Sequence, residues 1–324
     1  MPADTDVAAP PRPLDSVRRL ARRAWRPVHD RLPVRVTGYV RAMAWISLAV
    51  QIGIVGTGGL VRLTGSGLGC PTWPRCTDDS FVAVPEMGIH GVIEFGNRML
   101  TFVLVAVAVL MFLAVLRMRR ERRDLFWLSF SVAMYVPVQA VLGGITVLTH
   151  LNPYVVGLHY LASVPLVGLA AALVYRVYAT PGPRVRAVPG WYAGVAHLMT
   201  LAMLVTVVAG ILTTGAGPHA GDSGAARNGL DPELMQHLHS WPAYALFALT
   251  LVLVIGGWRL RTRMWALLLL LVEAVQIVIG IWQARTHVEH IWMVNVHMVL
   301  AVVLVAAAVA VVLHLKRPAA EAAV

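Results

Sequence analysis

Charged side chains are scarce in this sequence of 324 residues: Asp, Glu, Lys and Arg together make up 13% of it, while hydrophobic residues make up 58%. Soluble globular domains carry about 25% charged residues. The shortage of charge excludes a water-soluble globule and predicts a protein that crosses the membrane several times.

Eight hydrophobic stretches reach the length of about 20 residues that a transmembrane helix needs. They lie near residues 40–61, 91–116, 125–149, 154–178, 191–213, 233–257, 264–285 and 291–314. We expect an all-α membrane protein with eight transmembrane helices, arranged as two pseudo-symmetric four-helix bundles. The N-terminal bundle is expected over residues 37–188 and the C-terminal bundle over residues 189–317, with tails over residues 1–36 and 318–324.

Acidic residues are rarer than basic ones, 16 against 27, which gives a net charge of +11. The basic residues collect in the N-terminal tail and in alternate loops: Arg117–Arg123, Arg176–Arg186, Arg259–Arg263 and Lys316–Arg317. This alternation is the positive-inside pattern, so it predicts that both termini are cytoplasmic. It also accounts for the basic excess without a nucleic-acid partner. The tail over residues 1–36 contains no apolar core long enough for a signal peptide.

Cysteine is almost absent, and the only two cysteines, Cys70 and Cys76, lie in the first loop that is expected to face outward. The outer compartment is oxidising, which favours a disulfide over two free thiols. A zinc site is disfavoured because too few further ligands lie nearby.

An internal repeat relates the two halves of the chain. The motif TGSG at Thr64–Gly67 is matched by TGAG at Thr214–Gly217, and QAVLGG at Gln139–Gly144 by QIVIGI at Gln276–Ile281. The resulting alignment pairs Glu94 with Gln236, Asn97 with His239, Gln139 with Gln276, and His159 with His297. Two similar but non-identical cofactor sites, one in each half, are therefore expected.

Histidines inside apolar helices indicate a functional interior, because buried ionisable groups are costly in the membrane. Two imidazoles facing each other across a four-helix bundle are a common way to hold a haem iron. We expect His239 and His297 to be such a pair, since His237 points to nearly the opposite helix face. The first half has His159 and, in place of the second histidine, Asn97. There, His90 is either a further ligand or only a residue at the start of the helix.

Glu94 is the residue that most needs an explanation. It precedes Arg98 by one turn, so the two could form a simple ion pair. The second half has neutral Gln236 and Ser240 at the equivalent positions. We therefore favour a catalytic role for Glu94, in which the carboxylate abstracts a proton or stabilises a developing cation.

The polar residues that we take as candidates for cofactor binding are Arg62, His90, Asn97, Arg98, Gln139, Gln236 and Gln276. Gln139 and Gln276 are each followed by a close-packing glycine and are expected to hydrogen-bond a neighbouring helix or a porphyrin edge. Arg62, next to the first TG motif, is expected to meet a haem propionate. Glu273 has Val136 as its counterpart and receives no role from the sequence.

The chain resembles the haem A synthase family over residues 37–317. The resemblance rests on VRLTGSGLGCPTWPRC, EFGNR, QAVLGGITVLTHLNPYVVGLH, QHLHS and NVHMVLA. The usual family motif in the second helix is Glu-x-x-His-Arg, with histidine where this chain has Asn97. The roles of Glu94, His159, His239 and His297 therefore transfer directly, whereas the ligand role of position 97 does not.

The resemblance implies a bacterial plasma-membrane enzyme that oxidises a methyl group of haem O to a formyl group in two steps. The product, haem A, serves cytochrome c oxidase. The C-terminal half is implied to keep a resident haem B as an electron relay. The N-terminal half is implied to bind the substrate haem, with Glu94 close to the reacting methyl group. The cysteine pair is implied to act in redox behaviour or haem transfer. Expected partners are haem O synthase and cytochrome oxidase assembly factors, and a homo-oligomer is left open.

Two other functions compete with this one. A non-enzymatic di-haem b-type cytochrome would carry symmetrical histidine pairs, and the mismatches of Glu94 with Gln236 and of Asn97 with His239 count against it. A haem transporter would use the repeat for alternating access. Against this, the polar positions are expected to cluster at one depth near the outer end of their helices.

Overall fold

The computed structural model describes residue 23 and residues 26–286 and 290–322. The predicted tail over residues 1–36 lies mostly outside the described residues, as do the last two residues of the predicted C-terminal tail. Within the described chain, eight helices are long and apolar enough to cross a membrane. They are α1 (Gly38–Leu63), α2 (Gly88–Leu116), α3 (Arg123–Leu148), α4 (Pro153–Tyr178), α5 (Gly190–Ala216), α6 (Pro232–Gly256), α7 (Arg263–Thr286) and α8 (Ile291–His314).

Local sequence signals set several of these helix starts. Before α4, the Asn152 side chain accepts a hydrogen bond from the backbone N–H of Tyr154, and Pro153 opens the helix. Before α6, Asp231 accepts from the N–H of Leu234 in the same way, and a proline again follows. Asn and Asp satisfy the free N–H groups at a helix start, and proline at the first position loses nothing there.

Consecutive helices run antiparallel, so the molecule has two distinct ends. We call the end with the loops over residues 64–87, 149–152 and 217–231 the disulfide end. The opposite end, where α1 begins and α8 finishes, we call the arginine-rich end.

The helices pack in the same manner in each half. In the first half α1 packs against α2 and α4, and α3 packs against α2 and α4; α5 to α8 repeat this set of contacts. The halves meet where α4 packs against α5 and α8, and where α1 packs against α8. The two larger hydrophobic cores draw on α4 and α8: Val167 and Val302 belong to the first of them, Val164 and Val305 to the second.

A short two-stranded ribbon at the arginine-rich end is absent from the sequence-based expectation of helices alone. Strand β1 (Arg184–Arg186), in the linker between the halves, pairs antiparallel with β2 (Lys316–Pro318), directly after α8. A 3-10 turn, Ala319–Ala322, follows within what was predicted as a tail. The ribbon therefore joins the inter-half linker to the C-terminal segment.

Hydrogen bonds to backbone carbonyls connect the halves at the disulfide end. Arg62 at the end of α1 donates from Nε to the carbonyl of His219 at 2.8 Å and from Nη2 to that of Thr214 at 3.0 Å. The N–H of Gly67 donates to the carbonyl of Gly221 at 2.8 Å. The first TG segment thus lies against the loop that follows the second, and the second TG segment accepts a hydrogen bond from the end of α1.

Candidate functional site

The histidines and the glutamate of the repeat lie at one depth. Glu94, His159, His239 and His297 each follow the start of their helix, at the disulfide end, by six or seven residues. At 1.5 Å per residue, this places all four about 10 Å inside the bundle. Side chains from α2, α4, α6 and α8 are therefore available to a common layer.

In the second half, two of these histidines face each other. The ring centres of His239 on α6 and His297 on α8 are 6.2 Å apart, with an angle of 77° between the ring planes. Two imidazoles that bind one metal from opposite sides, through bonds of about 2 Å, have ring centres roughly 6 Å apart. The spacing of the pair fits a haem iron between the rings.

The orientation of His239 fits a metal ligand. Its Nδ1 lies 2.9 Å from the backbone carbonyl of Thr206 on α5. A carbonyl can only accept, so Nδ1 carries the proton and Nε2 is left with its lone pair for a metal. Gly210, one turn further along α5, makes room for the ring, since a Cβ there would lie 2.8 Å from His239 Cε1.

His159 and His297, which occupy equivalent positions in the two halves, share an unusual environment. The Nδ1 atoms of His159 and His297 are both buried and have no hydrogen-bond partner within the described residues, and the same holds for Oε1 of Gln139 and of Gln276. Buried polar atoms are nearly always satisfied. The repeat therefore extends to the polar atoms that a bound group would have to satisfy.

A glycine of the neighbouring helix lies close to the ring of His159, and another lies close to the ring of His297. A Cβ on Gly143 would be 3.4 Å from His159 Cε1, and one on Gly280 would be 3.7 Å from His297 Cε1. These glycines follow Gln139 and Gln276 by one turn, so α3 and α7 present matching surfaces to α4 and α8. Small residues allow such close helix approach in membranes.

The two glutamines anchor these histidine helices by different routes. Gln276 donates from Nε2 directly to the backbone carbonyl of His297 at 3.1 Å. Gln139 donates to the hydroxyl of Ser163 at 2.9 Å, and this hydroxyl donates to the carbonyl of His159 at 3.3 Å. Ala301 is the counterpart of Ser163, which is why the second half lacks the intermediate hydroxyl.

The side chain of Asn97 is hydrogen-bonded to a neighbouring helix. Its Oδ1 accepts a hydrogen bond of 2.8 Å from the hydroxyl of Thr57 on α1. The counterpart of Thr57 in the second half is Val207, which has no hydroxyl. The threonine therefore matches the change from histidine to asparagine at position 97.

His90 lies at the beginning of α2 and is exposed. Its Nδ1 is 2.8 Å from the hydroxyl of buried Ser66. The backbone carbonyl of His90 is also in close contact with Gly69, where a Cβ would approach to 2.1 Å. These contacts hold His90 against the loop, and they leave Nε2 outside the hydrogen bond with Ser66.

Glu94 is 5% exposed, and both of its carboxylate oxygens are bonded. Oε1 accepts from Arg98 Nε at 3.1 Å and from Arg98 Nη2 at 2.5 Å, while Oε2 accepts from the backbone N–H of Cys70 at 2.5 Å. The ion pair with Arg98 that the sequence left as an alternative is thus present. It coexists with a bond to the first loop.

Arg98 extends this contact across the loop. Its guanidinium donates to the backbone carbonyls of Cys70, Thr72 and Arg75 at 2.9–3.0 Å. The predicted disulfide between Cys70 and Cys76 is present and closes the same segment. Glu94 and Arg98 therefore hold a covalently closed loop onto α2.

Trp73, within the disulfide loop, contacts the far side of the first half. A Cβ on Gly144 of α3 would lie 2.4 Å from the Trp73 ring. The counterpart of Gly144 is Ile281, whose side chain would exclude such a ring. This contact was not predicted from the sequence, although the Gly-Gly pair at 143 and 144 was a usable signal. The loop spans from α2 to α3 and covers the first half at the disulfide end.

Three remaining polar residues occupy different surroundings. Arg62, a candidate propionate partner, already donates from Nε to His219 in the loop after α5 and from Nη2 to Thr214 in the last turn of α5. Gln236 is exposed near the start of α6. Glu273 is 3% exposed; its Oε1 accepts from the Thr250 hydroxyl at 2.8 Å, and its Oε2 has no partner among the described residues.

A family model described as "cytochrome oxidase assembly protein" (COX15-CtaA) matches residues 41–309, which include all eight helices almost completely. The chain belongs to this family. Curated relatives of the chain include heme A synthases from three bacteria. The one from Bacillus pumilus is 33% identical over 140 residues, which cover 42% of this chain and 43% of the relative.

The other two relatives are more distant. The heme A synthase of Lysinibacillus sphaericus is 29% identical over 143 residues, covering 42% of this chain and 45% of the relative. That of Geobacillus thermodenitrificans is 29% identical over 102 residues, covering 32% and 31% respectively. The chain thus spans less than half the length of the curated relatives that it matches.

Proposed function

We propose that this protein is a haem A synthase, an oxidoreductase that converts a methyl group of haem O into a formyl group. The observation that carries the proposal is the difference between the two halves. The second half has two imidazoles 6.2 Å apart, and the first has His159, an engaged Asn97 and the buried Glu94. The names of the relatives agree with this function.

The second half is proposed to hold a resident haem B, whose iron His239 and His297 would bind. When bound, this haem supplies an acceptor and relay for single electrons. The protein's part is to fix the ligands. Thr206 sets the proton position on His239, Gly210 leaves space for its ring, and Gln276 holds the backbone of His297.

The first half is proposed to bind the substrate haem O through His159. Asn97 is tied to Thr57, and an amide is a poor iron ligand, so the opposite side of the substrate iron stays open to His90 or water. A substrate held from one side can leave as product. A porphyrin held by two histidines resembles an electron carrier more closely.

Glu94 is proposed as the group that accepts protons from the reacting methyl carbon. In each of two steps the carbon loses a proton, gives up two electrons to an acceptor reached through the resident haem, and gains a hydroxyl group from water, whose other proton is released. The first step gives an alcohol and the second a hydrated aldehyde, which loses water to leave the formyl group. Arg98 binds Oε1 with two donors, so Oε2 is the atom available for a proton. Oε2 accepts one hydrogen bond, from the N–H of Cys70, and a carboxylate oxygen has a second lone pair that can take the proton.

Location and partners follow from the proposed activity. The arginine-rich end is proposed to face the cytoplasm of a bacterium, with the disulfide end on the oxidising outer side of the plasma membrane. Haem O synthase would deliver the substrate, and cytochrome oxidase assembly factors would receive haem A.

The experiment that tests the proposal is haem extraction from the purified protein and from Glu94→Ala. Wild type is expected to contain haem B together with haem O or haem A, and Glu94→Ala is expected to keep haem B but form no haem A. Glu273→Gln is the matched control, because it changes a buried carboxyl group of the other half. Haem B alone in wild type, with no conversion of added haem O, would instead identify an electron-transfer cytochrome.

A further inference from the structure

Arg184, in strand β1 at the arginine-rich end, has buried donors without acceptors. Its Nη1 donates to the hydroxyl of Tyr175 at 2.5 Å, but Nε and Nη2 are buried and have no hydrogen-bond partner within the described residues. A buried donor on a charged group that lacks an acceptor costs free energy. Such a group in a folded protein calls for a partner.

The two unpartnered atoms form one edge of the guanidinium group. Nε–H and the adjacent N–H of Nη2 point in the same direction, which is the geometry that binds two oxygens of a carboxylate or phosphate. The whole Arg184 residue is only half-buried. This edge therefore lies just below the protein surface.

Two other arginines in this protein show what this edge binds. Arg122 uses Nε and Nη2 to donate to the two carboxylate oxygens of Asp124, each at 3.1 Å. Arg98 uses the same two atoms on Glu94. Arg184 presents the same edge, and no carboxylate of the described chain occupies it.

The charges around Arg184 have the same sign. It is close enough to Arg176 and His314 to act on both electrostatically, and Arg261 also acts on His314. The nearby Asp124 is already bound by Arg122 through both oxygens. Among the described side chains, the surroundings of Arg184 therefore supply positive charge and no free anion.

Aromatic rings form the floor of this region. The guanidinium carbon of Arg184 lies 5.1 Å from the ring centre of Tyr175. The His314 ring packs on Tyr175 at 4.7 Å and on Trp265 at 5.0 Å. A cation above aromatic rings near the end of transmembrane helices is at the depth of lipid headgroups.

We propose that the Nε–Nη2 edge of Arg184 is a binding site for a phosphate group, contributed either by an anionic lipid headgroup or by free phosphate. β1 belongs to the linker between the two halves and pairs with the segment after α8. A phosphate bound there would attach this junction to the membrane surface or neutralise it. The site is separate from the histidine layer, which lies at the opposite end of the bundle.

Retention of lipid tests the membrane source. Full-length wild type, Arg184→Gln and Arg186→Gln are purified from nanodiscs containing phosphatidylglycerol and phosphatidylcholine, and the bound lipids are counted by native mass spectrometry. Arg186 is an exposed arginine of the same strand, so its variant loses the same charge without touching the buried edge. Wild type and Arg186→Gln are expected to retain phosphatidylglycerol in preference to phosphatidylcholine. Arg184→Gln is expected to bind it about tenfold to a hundredfold more weakly, the usual effect of losing a hydrogen bond to a charged group.

Inorganic phosphate tests the other source. In delipidated detergent solution, phosphate is compared with chloride at equal ionic strength for its effect on the melting temperature. Stabilisation of wild type but not of Arg184→Gln, with no lipid retained, identifies free phosphate as the ligand. Equal lipid retention and an equal phosphate effect in both proteins would overturn the proposal.

A structure of the wild type makes the test independent of the variant's folding. A cryo-EM map in phosphatidylglycerol nanodiscs is expected to show density for a phosphate group against Nε and Nη2 of Arg184. A well-resolved guanidinium edge without such density, in a sample that also shows no phosphate-dependent stabilisation, would refute the site.

Discussion

The backbone N–H of Cys70 donates a hydrogen bond of 2.5 Å to Oε2 of Glu94. One end of the disulfide therefore bears directly on the carboxylate that we propose as the proton acceptor. Because the disulfide joins two cysteines that are only six residues apart, this covalent bond restricts the position of the N–H. The loop and the carboxylate form one structural unit.

Removal of the disulfide is expected to impair the first half selectively. In Cys70→Ser/Cys76→Ser the loop gains freedom, so the N–H of residue 70 no longer holds Glu94 in place. We expect haem A formation to fall by about tenfold or more, since small displacements of reacting groups have effects of this size. The ratio of haem A to haem O in extracts measures it. The reduced spectrum of the resident haem is expected to stay unchanged, and full haem A formation would show that the loop does not position the carboxylate.

The ion pair of Glu94 and Arg98 makes a separate prediction about stability. Arg98→Gln leaves a buried carboxylate without its cation, which costs about 3–5 kcal/mol when one partner of a buried pair is removed. The double variant Glu94→Gln/Arg98→Gln removes both charges, so it is expected to melt at a higher temperature than Arg98→Gln while forming no haem A. It is expected to stay below wild type, because the hydrogen bonds from Arg98 to the loop carbonyls are still lost. Thermal unfolding in detergent, followed by intrinsic fluorescence, measures the first effect. If the double variant were no more stable than Arg98→Gln, the pair would not be the cause.

The helices were predictable from the sequence because their determinants are local. All eight predicted spans are confirmed with ends within three residues, from 40–61 against Gly38–Leu63 to 291–314 against Ile291–His314. Long apolar runs and start signals such as Asn152-Pro153 depend on neighbouring residues alone. The disulfide was predictable for a similar reason, since only two cysteines exist and both lie in one loop.

The features that escaped prediction depend on pairs that are distant in the sequence. The ribbon joins Arg184 to Pro318 through strands of three residues, which are too short to show an alternating pattern. The bond from Cys70 to Glu94 uses a backbone donor, which leaves no trace in residue identity. The roles proposed for the histidines remain predictions, although the spacing of His239 and His297 agrees with them.

Substitution of Gly210 tests haem binding without changing any of the residues proposed as ligands. In Gly210→Ala the new Cβ would lie 2.8 Å from Cε1 and 3.0 Å from Nδ1 of His239, so the ring must move. We expect the resident haem to be lost or weakly held, measured as iron per protein and as the reduced absorption spectrum. Alanine is a better helix former than glycine by roughly 0.5–1 kcal/mol, so a weakened helix would not explain the loss.

Gly194 supplies the matched control on the same helix. A Cβ there would meet nothing within 4 Å, so Gly194→Ala is expected to retain the haem fully. Equal haem content in Gly210→Ala and Gly194→Ala would mean that His239 does not need its observed position, and the ligand assignment in the second half would fail.

Asn97 makes the difference between the halves testable by spectroscopy. Asn97→His introduces an imidazole at the position equivalent to His239. At this position the Asn97 side chain now accepts a hydrogen bond from Thr57 of α1. With substrate haem bound, we expect a second low-spin signal, because a histidine ligand is added opposite His159. Asn97→Ala removes the bond to Thr57 without adding a ligand, so it is expected to leave the iron as in wild type. Electron paramagnetic resonance of the oxidised proteins distinguishes these outcomes. A wild-type spectrum that already contains two bis-histidine signals would show that another imidazole, such as that of His90, completes the first site.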